Sequence, residues 1–312
     1  MTALALSPRL LRNALPAASL ALVLAAIFAV NPRAMSYLGL NLMLQYAVPI
    51  ALATVAQMFI LTVNDLDLSI GAFVGLVSCI AGTWLATDPA LCALALLGCI
   101  AAYAALGALI QLRNLPSIVV TLGMSFVWLG LAVILMPRPG GEVPQWLVDF
   151  MKQKPALVPF PILAAAVIAI VAHLLLMQSS YGAVMRGAGG NPRAVGRAGW
   201  SLLAIRTTMY ALAGLFGVLA GLSLVGLTTS ADAHIADRYT LLSIAGVILG
   251  GGEFVGGRVS PVGAVLGAIT LTLAGSFLIF MRISPDWQIG AQGAILIAVL
   301  ALRALIRLRE AK

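Results

Sequence analysis

The chain has 312 residues, of which 62% are hydrophobic and only 9% are charged, and its mean hydropathy is +1.08. This composition excludes a soluble protein, because a soluble fold of this length needs many more charged side chains to cover its surface. The formal net charge of +8 does not indicate nucleic-acid binding, since no basic segment is interleaved with exposed aromatic residues.

The apolar residues lie in long runs, such as 94–112 and 162–177. A helix rises about 1.5 Å per residue, so runs of roughly twenty residues match the thickness of the bilayer core. Lipid offers the backbone no hydrogen-bond partners, so spanning segments are expected to be helical. The sequence therefore predicts an all-α, polytopic transmembrane helical bundle, formed by a single domain over residues 1–312.

Polar breaks divide the chain into about ten predicted spans. In chain order they are residues 12–30, 39–62, 68–86, 91–112, 116–136, 158–177, 207–227, 240–252, 261–281 and 287–306. The fifth contains Pro116, Gly123 and Gly130, which would allow it to bend. The eighth is too short to cross the membrane unless it is broken or buried in protein. Interrupted helices at membrane depth usually line a cavity.

The basic residues predict the orientation. With ten spans and a cytoplasmic N-terminus, twelve Lys and Arg residues fall in inner segments and six in outer segments. The positive-inside bias then places both termini and residues 178–206 in the cytoplasm, and residues 137–157 and 228–239 outside. We interpret the first apolar run, Ala14–Val30, as a retained anchor, because it is long and more spans follow.

Several kinds of chemistry have no motif in this sequence. It contains no G-x-x-x-x-G-K-[ST] phosphate loop, so we expect any ATP hydrolysis to occur on another chain. His173 and His234 fall on opposite sides of the predicted topology, and no H-E-x-x-H motif is present. Cys79, Cys92 and Cys99 lie in apolar runs without metal-ligand spacing. We predict no catalytic residue, metal site or bound cofactor in this chain.

The longest predicted cytoplasmic segment, 178–206, contains a helix-start signal. Asn191 is a favoured N-cap, and Pro192 suits the first helical position because its missing N–H would be unpaired there. Gly189-Gly190 would let the chain turn sharply just before them.

The helix that follows Asn191 would be very short, running over 193–198 and ending near Gly199. A helix of fewer than two turns is not stable alone in water, so it needs a surface to pack against. We expect a docking helix for a cytoplasmic partner, with an ordinary basic loop on lipid headgroups as the alternative. The candidate docking residues are Gly190, Asn191, Arg193, Ala194, Arg197 and Gly199.

Four motifs resemble those of one family. YGAVMRGAGGNPRAVGRAG at 181–199 is similar to the coupling loop of membrane permeases of ribose/monosaccharide-type ABC importers. DLDLSIG at 65–71 resembles the family's GIDLSVG, and PSIVVTLG at 116–123 resembles its PPFIATLG. IAGVILGGGEFVGGRVSPVGAVLG at 244–267 resembles its glycine-rich segment. The set follows the family's order over about residues 38–306.

The resemblance implies a type II ABC importer-like permease in a bacterial plasma (inner) membrane. Such a permease forms half of a transmembrane pair with a second copy or a paralogue. It works with two cytoplasmic ATP-binding subunits, which would hold ATP-Mg, and with a periplasmic or lipid-anchored solute-binding protein. The solute would be a monosaccharide or related polyol. The alternatives are a branched-chain amino acid, a nucleoside or a signalling furanone, or a stand-alone secondary carrier.

The DLDLSIG motif has two interpretations. Asp67 can cap the third span, because an Asp at a helix start accepts hydrogen bonds from free N–H groups. It can also line a broken-helix pocket that hydrogen-bonds a polar solute in transit. Both can hold together. The candidate pathway residues are Gln57, Asn64, Asp65, Asp67, Ser69 and Thr121.

Overall fold

The computed structural model describes residues 8–254 and 256–283, together with the isolated positions 287, 290, 293, 294 and 297, and it describes side chains from residue 15 onward. Within these residues the chain is all-helical, apart from one isolated backbone bridge between Gly140 and Ala231. The predicted all-α bundle is therefore confirmed for this part of the chain. The tenth predicted span, 287–306, lies outside the described residues except for the isolated positions.

The helices follow in chain order. They are α1 Pro8–Val30, α2 Tyr37–Leu44, α3 Ala47–Thr62, α4 Ile70–Trp84, α5 Pro89–Arg113, α6 Ser117–Leu135, α7 Gln145–Met151, α8 Phe160–His173, α9 Ser180–Gly190, α10 Pro192–Arg197, α11 Leu202–Thr228, α12 Tyr239–Leu249 and α13 Pro261–Phe280. A 3₁₀ turn, Pro32–Met35, precedes α2, and a π-helical turn, Leu174–Gln178, continues α8.

Among the described residues, five helices are long and apolar enough to span a bilayer: α5, α6, α8 with its π-helical turn, α11 and α13. Helices α2 and α3 form a sixth when they are taken together across a 43° bend. The apolar part of α1, α4 and α12 are shorter. The count of about ten spans therefore stays a prediction. Helix α6 begins after Pro116 and runs unbroken through Gly123 and Gly130, so the bend stays a prediction.

Helices α4 and α12 are too short to cross the membrane. Their 15 and 11 residues correspond to about 22 and 16 Å, less than the roughly 30 Å of the bilayer core. A non-helical segment precedes each of them. We call residues 63–69 the first connector and residues 229–238 the second connector. The expectation that the eighth span is broken or buried agrees with α12, since the second connector supplies the remaining depth.

Helix α3 lies at the centre of the bundle, where all of its residues are buried. Helix α11 packs against α3, α4 and α5. The outward faces of α5 and α6 are apolar and exposed, as at Leu97, Phe126 and Ile134. Apolar side chains in such positions are expected to face lipid or another subunit.

The loops gather at two ends of the bundle. At one end, the amide N–H of Gly140 donates to the Ala231 carbonyl oxygen at 2.9 Å, and the Tyr37 hydroxyl donates to the Pro155 carbonyl oxygen at 2.7 Å. We call this the distal end. The opposite end holds 178–206, and we call it the basic end. The segments predicted to lie outside thus meet at one end, as the alternation of spans requires.

Gly189 and Gly190 do not form the predicted turn. They are the last two residues of α9, and Gly189 packs against the end of α3. A Cβ at Gly189 would collide with the carbonyl oxygen of Thr62. This glycine is required by close approach of two backbones, and not by a turn.

Candidate translocation site

The first connector rises from the basic end into the middle of the bundle. The Ser69 hydroxyl lies 3.1 Å from the hydroxyl of Tyr103, which is about ten residues before the end of α5. At 1.5 Å per residue, Ser69 is roughly 15 Å above the basic end of that helix. Helix α4 therefore begins near the midplane.

A non-helical segment at this depth must find hydrogen-bond partners within the protein. The Leu66 amide N–H donates to the Ser117 hydroxyl at 3.2 Å, and the Leu68 amide N–H donates to the Thr121 hydroxyl at 3.1 Å. Both acceptors lie on the first turns of α6. The Thr121 hydroxyl in turn lies 3.2 Å from the Leu66 carbonyl oxygen.

Gln57 of α3 bonds to the backbone N–H and carbonyl groups of Asp67, in the same connector. When its side-chain amide is oriented to match its neighbours, the amide nitrogen donates to the Asp67 carbonyl oxygen at 3.1 Å. The amide oxygen accepts from the Asp67 N–H at 3.2 Å. The N–H groups of Asn64 and Asp65 bond to carbonyl groups of α3. Every amide N–H from residue 64 to residue 69 therefore has a partner.

The Asp67 carboxylate is fully buried. Its Oδ1 accepts from the Ser69 amide N–H and from the Ser69 hydroxyl, each at 2.7 Å, and its Oδ2 accepts from the Tyr103 hydroxyl at 2.7 Å. The N-cap of α4 is Ser69 and not Asp67. The cap interpretation is corrected in this respect: Asp67 binds a free N–H just ahead of α4, and it also joins the connector to α5.

Asp65 forms a nearly buried ion pair. Its carboxylate is 2.9 Å from Nε of Arg206 and accepts from the Arg206 guanidinium again at 3.2 Å, a two-point contact. The Tyr210 hydroxyl donates to Asp65 Oδ2 at 3.2 Å. The Gln111 side-chain oxygen accepts from Arg206 at 2.9 Å. These contacts join the first connector to α5 and to the start of α11.

Asn64 joins the connector to the loops of the basic end. Its side-chain nitrogen donates to the Gly189 carbonyl oxygen at 2.5 Å, and its side-chain oxygen accepts from the Gly256 amide N–H at 3.0 Å. Its backbone has φ 61°, a left-handed conformation that Asn tolerates better than most residues. A cavity of about 160 Å³ opens beside it, lined also by Pro192 and Arg206.

The structure thus brings all six predicted pathway residues together around the first connector. Five of them are buried, and only Asn64 is exposed. Their polar groups bond to one another and to neighbours that sequence reasoning missed, chiefly Tyr103, Ser117 and Arg206. Contact of these six residues with a solute stays a prediction.

The short helix after Asn191 is present as α10, Pro192–Arg197. The Asn191 side-chain oxygen accepts from the Ala194 amide N–H at 3.0 Å, which is the predicted cap. Gly199 ends the turn with φ +86°. No residue of α10 is buried. The half-buried Val195 packs against Gly187 of α9.

The second connector packs on glycines of α4. A Cβ at Gly75 would lie 2.5 Å from the Ala233 carbonyl oxygen, and one at Gly82 would lie 2.7 Å from the Ala231 Cβ. The Gly71 amide N–H donates to the Thr240 hydroxyl at 3.0 Å, at the start of α12. Sequence reasoning missed this contact, although the spacing of the three glycines fits one side of a helix.

Comparison with known proteins decides the family. Residues 39–300 match the family described as "Branched-chain amino acid transport system / permease component". The chain belongs to this permease family. No solved structure is matched significantly.

Curated relatives extend this result. The chain is 30% identical over 266 residues, 83% of this chain and 76% of the relative, to the "Autoinducer 2 import system permease protein LsrC" of Shigella flexneri. It is 28% identical over 310 residues, 92% of each chain, to the "Galactose/methyl galactoside import permease protein MglC" of Escherichia coli (strain K12).

The family assignment confirms the main conclusion drawn from the motifs. The chain is a multi-pass permease subunit of an ABC importer in the inner membrane, and the family is one of transport subunits rather than enzymes. ABC importer permeases in general work with ATPase and solute-binding partners.

Proposed function

We propose that this chain is a single permease domain that forms one half of the membrane pathway for a small polyhydroxylated solute, most simply a monosaccharide. The observation that carries the proposal is the match of 39–300 to the permease family, together with relatives named for the import of galactose/methyl galactoside and of autoinducer 2. The other half would be a second copy or a paralogue. The family's description also names branched-chain amino acids, which remain a second candidate solute class.

Helix α10 would be the docking element for the ATPase, and that partner would bind ATP-Mg. Three features support this role: α10 is capped at its start by Asn191, it carries the exposed Arg193 and Arg197, and it lies at the basic end with no buried residue. The bulky substitution Ala194→Trp should block docking without disturbing the permease, because Ala194 is exposed. Copurification of the ATPase, with the permease at its normal level, measures this effect.

The basic end would face the cytoplasm, as would both termini. The structure improves the choice of reporters for this orientation. Ala188 and Ala233 are buried, so cysteines there would react poorly from either side. Gln153 and Thr229 are exposed at the distal end, and Ala198 is exposed at the basic end. Cysteines at the first two should react with an impermeant reagent from outside, and Ala198→Cys should not. The reverse pattern would contradict the orientation.

The solute and the energy source are tested together in proteoliposomes. Ligand screening of the solute-binding protein first identifies a sugar. The permease, its ATPase and its solute-binding protein should import this sugar only when ATP is present on the side of the membrane that carries the ATPase. A complex with a hydrolysis-deficient ATPase is the matched control. Import by the permease alone, without ATP, would instead support a secondary carrier.

A further inference from the structure

Three charged or titratable side chains of the second connector, His234, Asp237 and Arg238, are exposed in the described structure. His234 Nδ1 lies 3.0 Å from Asp237 Oδ2, and the two side chains are 58% and 55% exposed. Arg238 forms no hydrogen bond or ion pair through its side chain with any other described residue. Arg238 therefore remains available for a ligand, and the His234–Asp237 pair is open to solvent on its other side.

Their depth follows from helix α4. A Cβ at Gly71 would lie 2.7 Å from the Ala236 carbonyl oxygen and 3.2 Å from that of Asp237. Gly71 is the second residue of α4, whose start was placed about 15 Å from the basic end of α5.

Helix α11 gives a second, independent measure of this depth. Its Gly217 packs against Ile70 and Phe73 of α4. Gly217 lies about eleven residues before the distal end of α11, which corresponds to roughly 16 Å. Both measures put the start of α4, and so Asp237 and Arg238, near the midplane. The second connector thus descends from Gly82 at the distal end to Gly71 at mid-depth.

Charged side chains at this depth are costly in lipid and almost always face a bundle interior or a water-filled cavity. Here they project away from the glycine face of α4, on which Ala231, Ala233 and Ala236 are buried. A cavity of about 450 Å³ adjoins Arg238, and its polar lining includes Tyr46, Thr228, Thr272 and Ser276. The surface beside the connector is therefore concave and partly polar.

Building on the proposed function, we propose that Asp237 and Arg238 at mid-depth, with His234 about one helical turn nearer the distal end, form a solute-contacting site on the water-filled pathway between this chain and its partner permease. A carboxylate and a guanidinium together carry no net charge, and each can bond two neighbouring hydroxyl groups. Their preferred ligand is therefore a neutral polyhydroxylated solute. The acids of the first connector, by contrast, already have protein partners.

The first test is accessibility, and it needs neither ATP nor an identified solute. Cys79, Cys92 and Cys99 are first replaced by Ala, and Asp237→Cys or Arg238→Cys is added. In the assembled complex, a charged, membrane-impermeant thiol reagent added from the distal side should modify both. Thr229→Cys is the accessible control. Leu97→Cys, exposed on the outer face of α5, should react only with a lipid-soluble reagent. Cysteines at 237 and 238 that stay unreactive, or that behave like Leu97→Cys, overturn the proposal.

The second test is transport by Asp237→Asn and Arg238→Gln. Loss of a hydrogen bond to a charged group should reduce uptake at subsaturating solute by about tenfold or more. Asp149→Asn, at a distal-end acid outside the connector, is the charge-matched control. Normal uptake by both variants at normal permease levels overturns the proposal. A complex that imports no solute in any variant, yet is modified at 237 and 238, refutes the proposed function instead.

Discussion

The two connectors differ in how their non-helical backbone is accommodated inside the bundle. Both carry non-helical backbone to mid-depth ahead of a short helix. Every amide N–H of the first from residue 64 to 69 is bonded, to backbone carbonyls of α3, to side chains of α3 and α6, or to Asp67. Its acids bind Tyr103 and Arg206. The second fits its alanines onto glycines of α4 and turns its charged side chains outward. A fully bonded, buried connector is suited to be a rigid joint, and a connector with exposed charges is suited to line a path.

The largest expected effect comes from separating the second connector from α4. Gly75→Val places a Cβ 2.5 Å from the Ala233 carbonyl oxygen, which belongs to the backbone and cannot simply rotate away. Overpacking of this kind costs about 1–3 kcal/mol or more, so we expect most of the permease to be lost at extraction. Gly123→Val is the matched control, because nothing lies within 4 Å of a Cβ there. Size-exclusion profiles in detergent measure both. Equal yields for the two variants would refute the packing of the second connector on α4.

The next effect distinguishes the acids of the two connectors. Asp67→Ala removes the acceptor of the Ser69 amide N–H and of the Ser69 and Tyr103 hydroxyls. The two hydroxyls lie 3.1 Å apart and can bond to each other, so one N–H and one hydroxyl lose their acceptor, at about 1–3 kcal/mol for each buried group. A clear fall in Tm is expected. The Tm of Asp67→Asn should fall less, because the Tyr103 hydroxyl can accept a hydrogen bond from the asparagine amide instead of donating one. Asp237→Ala should leave Tm unchanged, since Asp237 is exposed. A Tm for Asp67→Ala equal to that of the unaltered protein would contradict the role of Asp67 as a joint.

The Asp65–Arg206 pair should contribute somewhat less to the stability of the permease than Asp67 does. Arg206→Gln leaves the Asp65 carboxylate nearly buried without its cation, and the Tyr210 hydroxyl still donates to it. Breaking a buried pair typically costs about 3–5 kcal/mol, and we expect about 2–3 here because Arg206 is 22% exposed. The double variant Asp65→Asn with Arg206→Gln should recover part of the loss. Thermal unfolding of the three variants gives the coupling energy. Additive losses would show that the two residues do not act as a pair.

Asn64 tests whether the first connector communicates with the basic end. Asn64→Gly keeps the left-handed backbone and removes both side-chain hydrogen bonds, for a stability loss of about 1 kcal/mol. If the connector transmits movement from α9, solute imported per ATP hydrolysed should fall while the ATPase remains bound. Asn64→Ala is the comparison, since it adds backbone strain to the same loss. Unchanged coupling in Asn64→Gly would make this contact purely structural.

Local signals in the sequence predicted much of this molecule. Long apolar runs predicted helices for the described part of the bundle, and Asn191-Pro192 predicted the start of α10. The motif around Asp67 identified the residues that meet at the first connector. Its partners Tyr103, Ser117 and Arg206 were missed, because each lies far away in the chain and only the packing of α5, α6 and α11 brings them near. The descent of the second connector was missed for the same reason. A polar segment between two apolar runs is typical of a surface loop, and only the packing of this segment on the glycines of α4 brings it to mid-depth.

The smallest expected effect is on binding of the ATPase, when the charges of the two exposed arginines of α10 are reversed. Arg193 and Arg197 are four residues apart on a capped helix and are exposed, like the charges of the second connector. If acids on the ATPase oppose them, Arg193→Glu with Arg197→Glu should weaken assembly. Exposed ion pairs contribute about 0–1 kcal/mol each, so each reversal should change affinity by no more than about fivefold to tenfold. The effect should shrink as salt rises, because exposed charges are screened.

Arg138→Glu, at an exposed arginine of the distal end, is the matched control. Titration of the ATPase against the permease in nanodiscs at low and high salt measures these affinities. Equal, salt-independent affinity for all variants would mean that the arginines of α10 do not contact the ATPase.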